Sequence, residues 1–297
     1  MTKRGLRETI EGYLCISPWI LGFALFGGGP IIASLALSFT KWNIIQPAKF
    51  VGLANYVRLL TQTKLFWHSL RITFTYAAAV IPLGIIIGFS IALLMNQKLL
   101  GLAVWRTIYY MPSLVTGVAI AMIWTIILNP EVGLVNQILW AAGIEGPKWL
   151  YDKNWALAGI ILMVVWQTGG AMIIYLAGLQ GIPTQLYEAV EIDGGGVWRK
   201  FVTVTIPMMT PILFFQLIMG VIGSLQVFGT AFIMTRGGPE YATMFYNLQL
   251  YFAAFEDFEM GLACSMAWIL FLIILLLTLL LFKSAARWVY YAGERGR

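Results

Sequence analysis

Six stretches of this chain are each long and apolar enough to cross a lipid bilayer. They lie at 13–39, 70–95, 102–128, 156–180, 208–235 and 261–282. A helix needs roughly 20 apolar residues to span the hydrocarbon core, and each stretch supplies them. No hydrophilic block between them is large enough to form a soluble domain. The composition requires the same solvent. Hydrophobic residues make up 60% of the chain and charged ones 11%, with a mean hydropathy of +0.82. Soluble domains lie nearer about 45–50% apolar and about 25% charged. The expectation is an all-α integral membrane protein with six transmembrane helices, forming a single domain over 1–297.

The first stretch follows Lys3, Arg4 and Arg7, as a secretory signal would. It is too long for a signal, and no small-residue cleavage site ends it, so it reads as an uncleaved first span. Gly27-Gly28-Gly29-Pro30 interrupts it and is expected to bend or locally unwind the helix. Basic residues set the orientation. With the N-terminus inside, the cytoplasmic set is Lys3, Arg4, Arg7, Lys98, Arg106, Arg199, Lys200, Lys283, Arg287, Arg295 and Arg297. The outer set is smaller, and its loops are longer: Lys41, Lys49, Arg58, Lys64, Arg71, Lys148, Lys153 and Arg236. This positive-inside bias puts both termini in the cytoplasm. It also accounts for the net charge of +6 without nucleic acid. Trp42, Trp67, Trp105, Tyr109, Trp149, Trp155 and Trp288 fall near span ends, where an aromatic belt belongs.

Between the fourth and fifth spans lies a charged, glycine-broken island, residues 184–207. Pro183 and Thr184 open a short helix there, with Thr184 expected to cap free N–H groups. Leu186, Ala189 and Val190 fall on one face, while Glu188 and Glu191 point elsewhere. Gly194, Gly195 and Gly196 end the helix. A short amphipathic helix on a membrane surface suits docking into a groove of another protein. The same pattern also fits a surface helix that only links two spans.

The spelling of the island resembles the coupling loop of permease subunits of binding-protein-dependent ABC importers. That pattern is Glu-Ala-Ala, three residues, Gly, nine residues, then Ile-x-Leu-Pro. Here Glu188-Ala189-Val190 precedes Gly194 by the same spacing, and Val204, Thr205, Ile206 and Pro207 follow in register. Val190, Val204 and Ile206 are small apolar departures. Ile192-Asp193-Gly194 and Pro211 resemble the carbohydrate branch. So do Ser17-Pro18-Trp19, Phe50-Val51-Gly52-Leu53-Ala54-Asn55-Tyr56, Asn129-Pro130 and Gly237-Gly238-Pro239, where maltose-type permeases carry similar residues. The resemblance implies one half of a heterodimeric pore in a bacterial or archaeal cell membrane. Its partners would be a second homologous permease, two ATPase subunits that bind ATP and Mg, and an extracytoplasmic sugar-binding protein received by the outer loops. It implies alternating access, with Glu188, Ala189, Val190, Asp193 and Gly194 coupling the ATPases to the spans. It further implies sugar contacts at Gln167, Thr168, Ala171, Gly223, Ser224 and Val227.

The residues themselves add to this. Gln167, Thr168, Ala171 and Tyr175 share one face of the fourth span, and Gly223, Ser224, Val227 and Phe228 share one face of the fifth. Such faces offer the neutral hydrogen-bonding groups and aromatic surface that a sugar needs. Gln226 lies roughly opposite Ser224. Helix-to-helix packing would use the same small residues. No catalytic centre is legible. The phosphate-loop pattern GxxxxGK[ST] is missing from the sequence, so the chain is expected to be a non-catalytic subunit without a cofactor of its own. The spans hold almost no ionisable residue at mid-depth, where proton-coupled carriers place theirs. A stand-alone secondary carrier or channel for a neutral solute is the alternative, and this absence disfavours it. Cys15 and Cys264 lie in apolar segments, against a disulfide framework. His68 has no neighbours of metal-ligand type, and no metal site is expected. The outer loops at 41–67, 129–155 and 236–260 exceed tight turns. The aromatic run of the last is expected along the membrane surface, and Glu256, Asp257 and Glu259 as solvated residues rather than a cation site.

Overall fold

A computed structural model of the chain describes residues 3–97 and 100–290, with side chains from residue 10 onward. Lys98, Arg295 and Arg297 of the expected cytoplasmic set lie outside the described residues, as do the side chains of Lys3, Arg4 and Arg7. The described chain is helical, with one short strand pair. Its helices are α1 (Lys3–Phe23), α2 (Gly29–Ser38), α3 (Ala54–Thr61), α4 (Lys64–Met95), α5 (Leu102–Leu114), α6 (Gly117–Ile127), α7 (Leu134–Ala141) and α8 (Ala156–Trp166). They continue with α9 (Gly169–Gln180), α10 (Thr184–Ile192), α11 (Val197–Lys200), α12 (Ile206–Leu225), α13 (Gly229–Met234), α14 (Tyr246–Tyr251) and α15 (Met260–Trp288).

Four helical runs are long and apolar enough to cross a membrane: Ile10–Ser38, Lys64–Met95, Val197–Leu225 and Met260–Trp288. Two bent pairs raise the number to six if each pair is one span. These are α5 with α6, bent by 101°, and α8 with α9, bent by 43°. The glycine run in the first span is absorbed as a π-helical turn, Ala24–Gly28, between α1 and α2. Pro30 stands at the start of α2. Proline cannot donate a backbone hydrogen bond, and a wider turn accommodates the freed carbonyl.

Three expected spans are not continuous. The third breaks because Val115 and Thr116 are extended. Both are β-branched and suit that conformation, and Pro112 has already removed one helical bond upstream. The fourth breaks at Gln167 and Thr168. Gly169 then passes so close to α5 that a Cβ there would run into the Tyr109 carbonyl. The fifth ends at Leu225, and α13 begins only at Gly229. The carbonyl of Gln226, in that gap, accepts a hydrogen bond from Asn247 Nδ2 at 3.0 Å.

The chain forms two compact units. The first joins the stretch up to Lys64 with Leu250–Leu270. Its strands β1 (Thr40–Lys41) and β2 (Lys49–Phe50) pair antiparallel, Thr40 opposite Phe50. A buried polar cluster holds it together. Asn55 Nδ2 donates to the carbonyls of Ser38 (2.9 Å) and Thr40 (2.8 Å). Ser265 Oγ donates to the same Ser38 carbonyl at 2.8 Å, and Tyr56 OH to Ser38 Oγ at 2.8 Å. Buried backbone groups need such partners where a helix ends in a loop. Glu259 pairs with Arg58 at 2.8 Å.

The second unit is Leu65–Gln249 with Phe271–Arg297. Its main cluster is Ala92, Met95, Met172, Tyr175, Leu176, Leu179, Ile182, Val204 and Met209. Part of the outer aromatic run lies inside this unit rather than along a surface. Phe245 and Tyr246 are fully buried and meet Tyr76 and Phe66 edge-on, at 5.0 Å and 5.6 Å. Thr73 Oγ1 accepts from the Tyr246 backbone N–H at 2.9 Å, so the run is fixed by a buried hydrogen bond as well as by apolar contact. His68 Nε2 lies 3.0 Å from the Tyr241 carbonyl.

Candidate functional site

Helix α12 carries Gln216, Gly220, Gly223 and Ser224 on one face, one and two turns apart. That face opens on α4 and on the α8–α9 pair. Together they enclose a cleft of about 370 Å³. Tyr76, Gly84, Val164, Thr168, Ala171, Tyr175, Gln216, Gly220, Gly223 and Ser224 are among its lining residues. Gly84 and Gly220 keep it open: a side chain at either would reach Thr168 or Ile81 at van der Waals distance. Among the described residues, no Asp, Glu, Lys or Arg lines the cleft. The polar groups are hydroxyls and one amide. The Gln216 Nε2 is buried without a hydrogen-bond partner, although buried polar atoms are normally paired.

Thr168, Ala171, Gly223 and Ser224 therefore meet at one cleft, with Tyr175 beside them. Gln167, Val227 and Phe228 do not line it. Gln167 sits at the α8–α9 break, and Val227 and Phe228 fall in the gap after α12, where the helical spacing no longer applies. Phe228 instead stacks on Phe232, with ring centroids 5.4 Å apart. Gln216 and Tyr76 were missed from the sequence. The spacing of Gln216 to Gly220 and Ser224 was the available signal.

A second cavity adjoins at Thr168. It is a groove of about 610 Å³ bounded by α4, the α5–α6 bend and the α8–α9 break. Its walls include Ile108, Tyr109, Pro112, Trp124, Trp166, Thr168 and Gly169.

The charged island folds as α10, followed by α11. Pro183 takes the position before α10, and its carbonyl accepts from the Leu186 N–H at 3.2 Å. Thr184 is the first helical residue and caps nothing. Gly194 has φ +75° and closes the helix. Its N–H donates to the Glu191 carbonyl at 2.9 Å, and the Gly195 N–H to the Val190 carbonyl at 2.8 Å. Among the three residues of the expected apolar face, only Val190 turns inward. It packs with Tyr187 on the main cluster, and the Tyr187 hydroxyl lies 3.1 Å from Thr205 Oγ1. Leu186, Ala189, Glu188 and Asp193 are exposed. Ile192, Val197 and Trp198 are 86%, 86% and 74% exposed, so the island shows an uncovered apolar surface. Lys200 Nζ donates to Glu191 Oε2 at 2.6 Å and holds that carboxyl below its ordinary range.

Comparison with known proteins places this arrangement. The family model described as "Binding-protein-dependent transport system inner membrane component" matches residues 65–290. The chain is 39% identical over 292 residues to the probable ABC transporter permease protein YesP of Bacillus subtilis (strain 168), covering 97% of this chain and 94% of that one. It is 34% identical over 284 residues to the trehalose/maltose transport system permease protein MalF of Thermococcus litoralis, covering 95% and 96%. Its fold matches a chain of the bacterial alginate ABC transporter, solved in complex with an alginate pentasaccharide-bound periplasmic protein. The TM-score is 0.85 at 21% identity, over 96% of each chain. The chain belongs to the inner membrane component family of binding-protein-dependent transport systems, as a multi-pass ABC transporter permease.

Proposed function

We propose that this permease carries a neutral sugar or oligosaccharide into the cell, through the cleft between α4, α8–α9 and α12. The observation that carries the reading is the lining of that cleft: hydroxyls, one unpartnered amide and two tyrosines, without an ionised side chain. Such a lining binds polyhydroxylated, uncharged solutes and gives no purchase to a coupling ion. The sugar substrates of relatives agree: trehalose and maltose for MalF, and lactose for the permease LacF of Rhizobium radiobacter, 33% identical.

Thr168, Ala171, Gly223 and Ser224 form the sugar site with Tyr76, Tyr175 and Gln216. Gln167, Val227 and Phe228 act from the helix breaks, which move as the cleft opens to one side and then the other. A second permease completes the pore, and an extracytoplasmic binding protein delivers the sugar. Two ATPase subunits hold ATP and Mg and carry out hydrolysis, and this chain takes no part in that chemistry. The stretch 184–207 is the cytoplasmic coupling loop. Its uncovered apolar surface docks on an ATPase, with Glu188, Ala189, Asp193 and Gly194 presented to it and Val190 anchored behind. Tyr187 and Val190 rest on a cluster that contains Tyr175, and Tyr175 also lines the cleft. A shift of α10 therefore reaches the sugar site through packed side chains.

The test is uptake by a strain lacking this gene, restored by the cloned gene, across a panel of labelled mono- and oligosaccharides. Uptake of at least one sugar that stops on ATP depletion is expected. Sugar uptake that persists without ATP, or a panel with no transported sugar, sinks the proposal.

A further inference from the structure

We propose that the groove bounded by α4, the α5–α6 bend and the α8–α9 break is a second sugar subsite, continuous with the cleft through Thr168. The inference rests on the sugar reading above and extends it to the length of the substrate. Trp124 is 7% exposed, and its indole Nε1 lies buried without a hydrogen-bond partner. Buried indole N–H groups normally have an acceptor. Trp124 lines the groove, so a bound molecule carrying an acceptor oxygen would complete it. Trp166 meets Trp124 at 5.7 Å between ring centroids, 61° apart in plane, and Tyr109 and Pro112 stand in the same wall. Aromatic surface beside a single buried donor suits a sugar ring, whose C–H face is apolar and whose edge carries oxygens. An acyl tail would fill the aliphatic part of the groove, yet it offers the indole nothing to accept its proton.

Thr168 lines both cavities. Of the three buried side-chain atoms without partners among the described residues, two are Gln216 Nε2 and Trp124 Nε1. Gln216 lines the cleft and Trp124 lines the groove. The geometry fits a chain of at least two rings lying across Thr168, with one orphan donor serving each. A single ring would leave one of them unsatisfied.

The experiment compares Trp124→Phe with the parent in the complete transporter. The change keeps an aromatic side chain but deletes the N–H together with the five-membered ring. The readout is therefore the dependence on sugar length, which lost packing alone would not produce. The probe is a labelled oligosaccharide series of the sugar that the uptake panel identifies, from its shortest transported member upward. Trp124→Phe is expected to weaken the apparent affinity for the longer members about five- to tenfold and to leave the shortest unchanged. An effect equal at all lengths, or none, overturns the subsite while leaving sugar transport standing. So does native mass spectrometry that finds a phospholipid retained by the parent and lost from Trp124→Phe. A panel with no transported sugar removes both readings together.

Discussion

Gly194 adopts φ +75° with open space around it, so what it contributes is backbone freedom alone. An L-residue in that region costs about 1–2 kcal/mol. Gly196 is the internal control, because it has φ −74° and equally open surroundings. Gly194→Ala is expected to reduce sugar uptake several-fold at unchanged membrane levels, whereas Gly196→Ala stays near the parent. Equal uptake by both variants would show that the α10 terminus does not matter for coupling. Gln216 separates stability from binding in the same way. Its Nε2 has no partner to lose among the described residues, so Gln216→Leu is expected to leave the thermal midpoint of the purified complex level or higher. Apparent sugar affinity should fall about fivefold, as for one lost hydrogen bond of about 1 kcal/mol. A destabilised complex with normal affinity would instead make Gln216 a structural residue. Gln167→Ala, at a helix break and outside the cleft lining, is expected to have the smaller effect on affinity.

At the scale of elements, apolar runs located the helices but not their breaks. Hydropathy registers whether a segment belongs in lipid, and 114–117 or 225–229 are as apolar as their flanks. Pro112 and the β-branched Val115 and Thr116 mark the third-span break locally, whereas the fourth-span break goes with a contact distant in sequence, the approach of the Tyr109 carbonyl to Gly169. Part of the cleft was legible because Ala171, Gly223 and Ser224 lie within helices and obey helical spacing, with Thr168 at the start of α9. Val227 and Phe228 were misplaced by extending that spacing past Leu225. For α10 the glycine stop was legible and the inward face was not, because Tyr187 and Val190 are chosen by the cluster beneath them. The ion pair Glu191–Lys200 carries a pH prediction. The carboxyl is held below its ordinary value, so any contribution of the pair is full at neutral pH and is lost only as pH falls through that lowered value. Glu191 is exposed and Lys200 partly exposed, and ion pairs open to solvent contribute little. Glu191→Gln is therefore expected to show a constant ratio of uptake to the parent from pH 8 to about pH 5. A ratio that changes within that window would place another titrating group at the loop.

For the whole molecule, the two bent pairs decide how many times the chain crosses the membrane. In the four unbroken spans only 0% to 28% of the most apolar window is buried within the chain, so lipid or a partner subunit must cover the rest. Starting outside at residue 46, α4 crosses once. If α5–α6 and α8–α9 each cross as well, residue 145 returns outside and residue 185 lies in the cytoplasm. A re-entrant α5–α6 pair would leave residue 145 inside, and a re-entrant α8–α9 pair would put residues 145 and 185 on one side. Single cysteines at Gln46, Glu145 and Gln185, all exposed, distinguish these cases once Cys15 and Cys264 are replaced by alanine. An impermeant thiol reagent applied to intact cells is expected to label the first two. The third should react only after the membrane is opened. This pattern requires both bent pairs to be true spans and places the α10 island where an ATPase can reach it. Labelling of Gln185→Cys in intact cells would remove the coupling assignment, whatever the cleft transports.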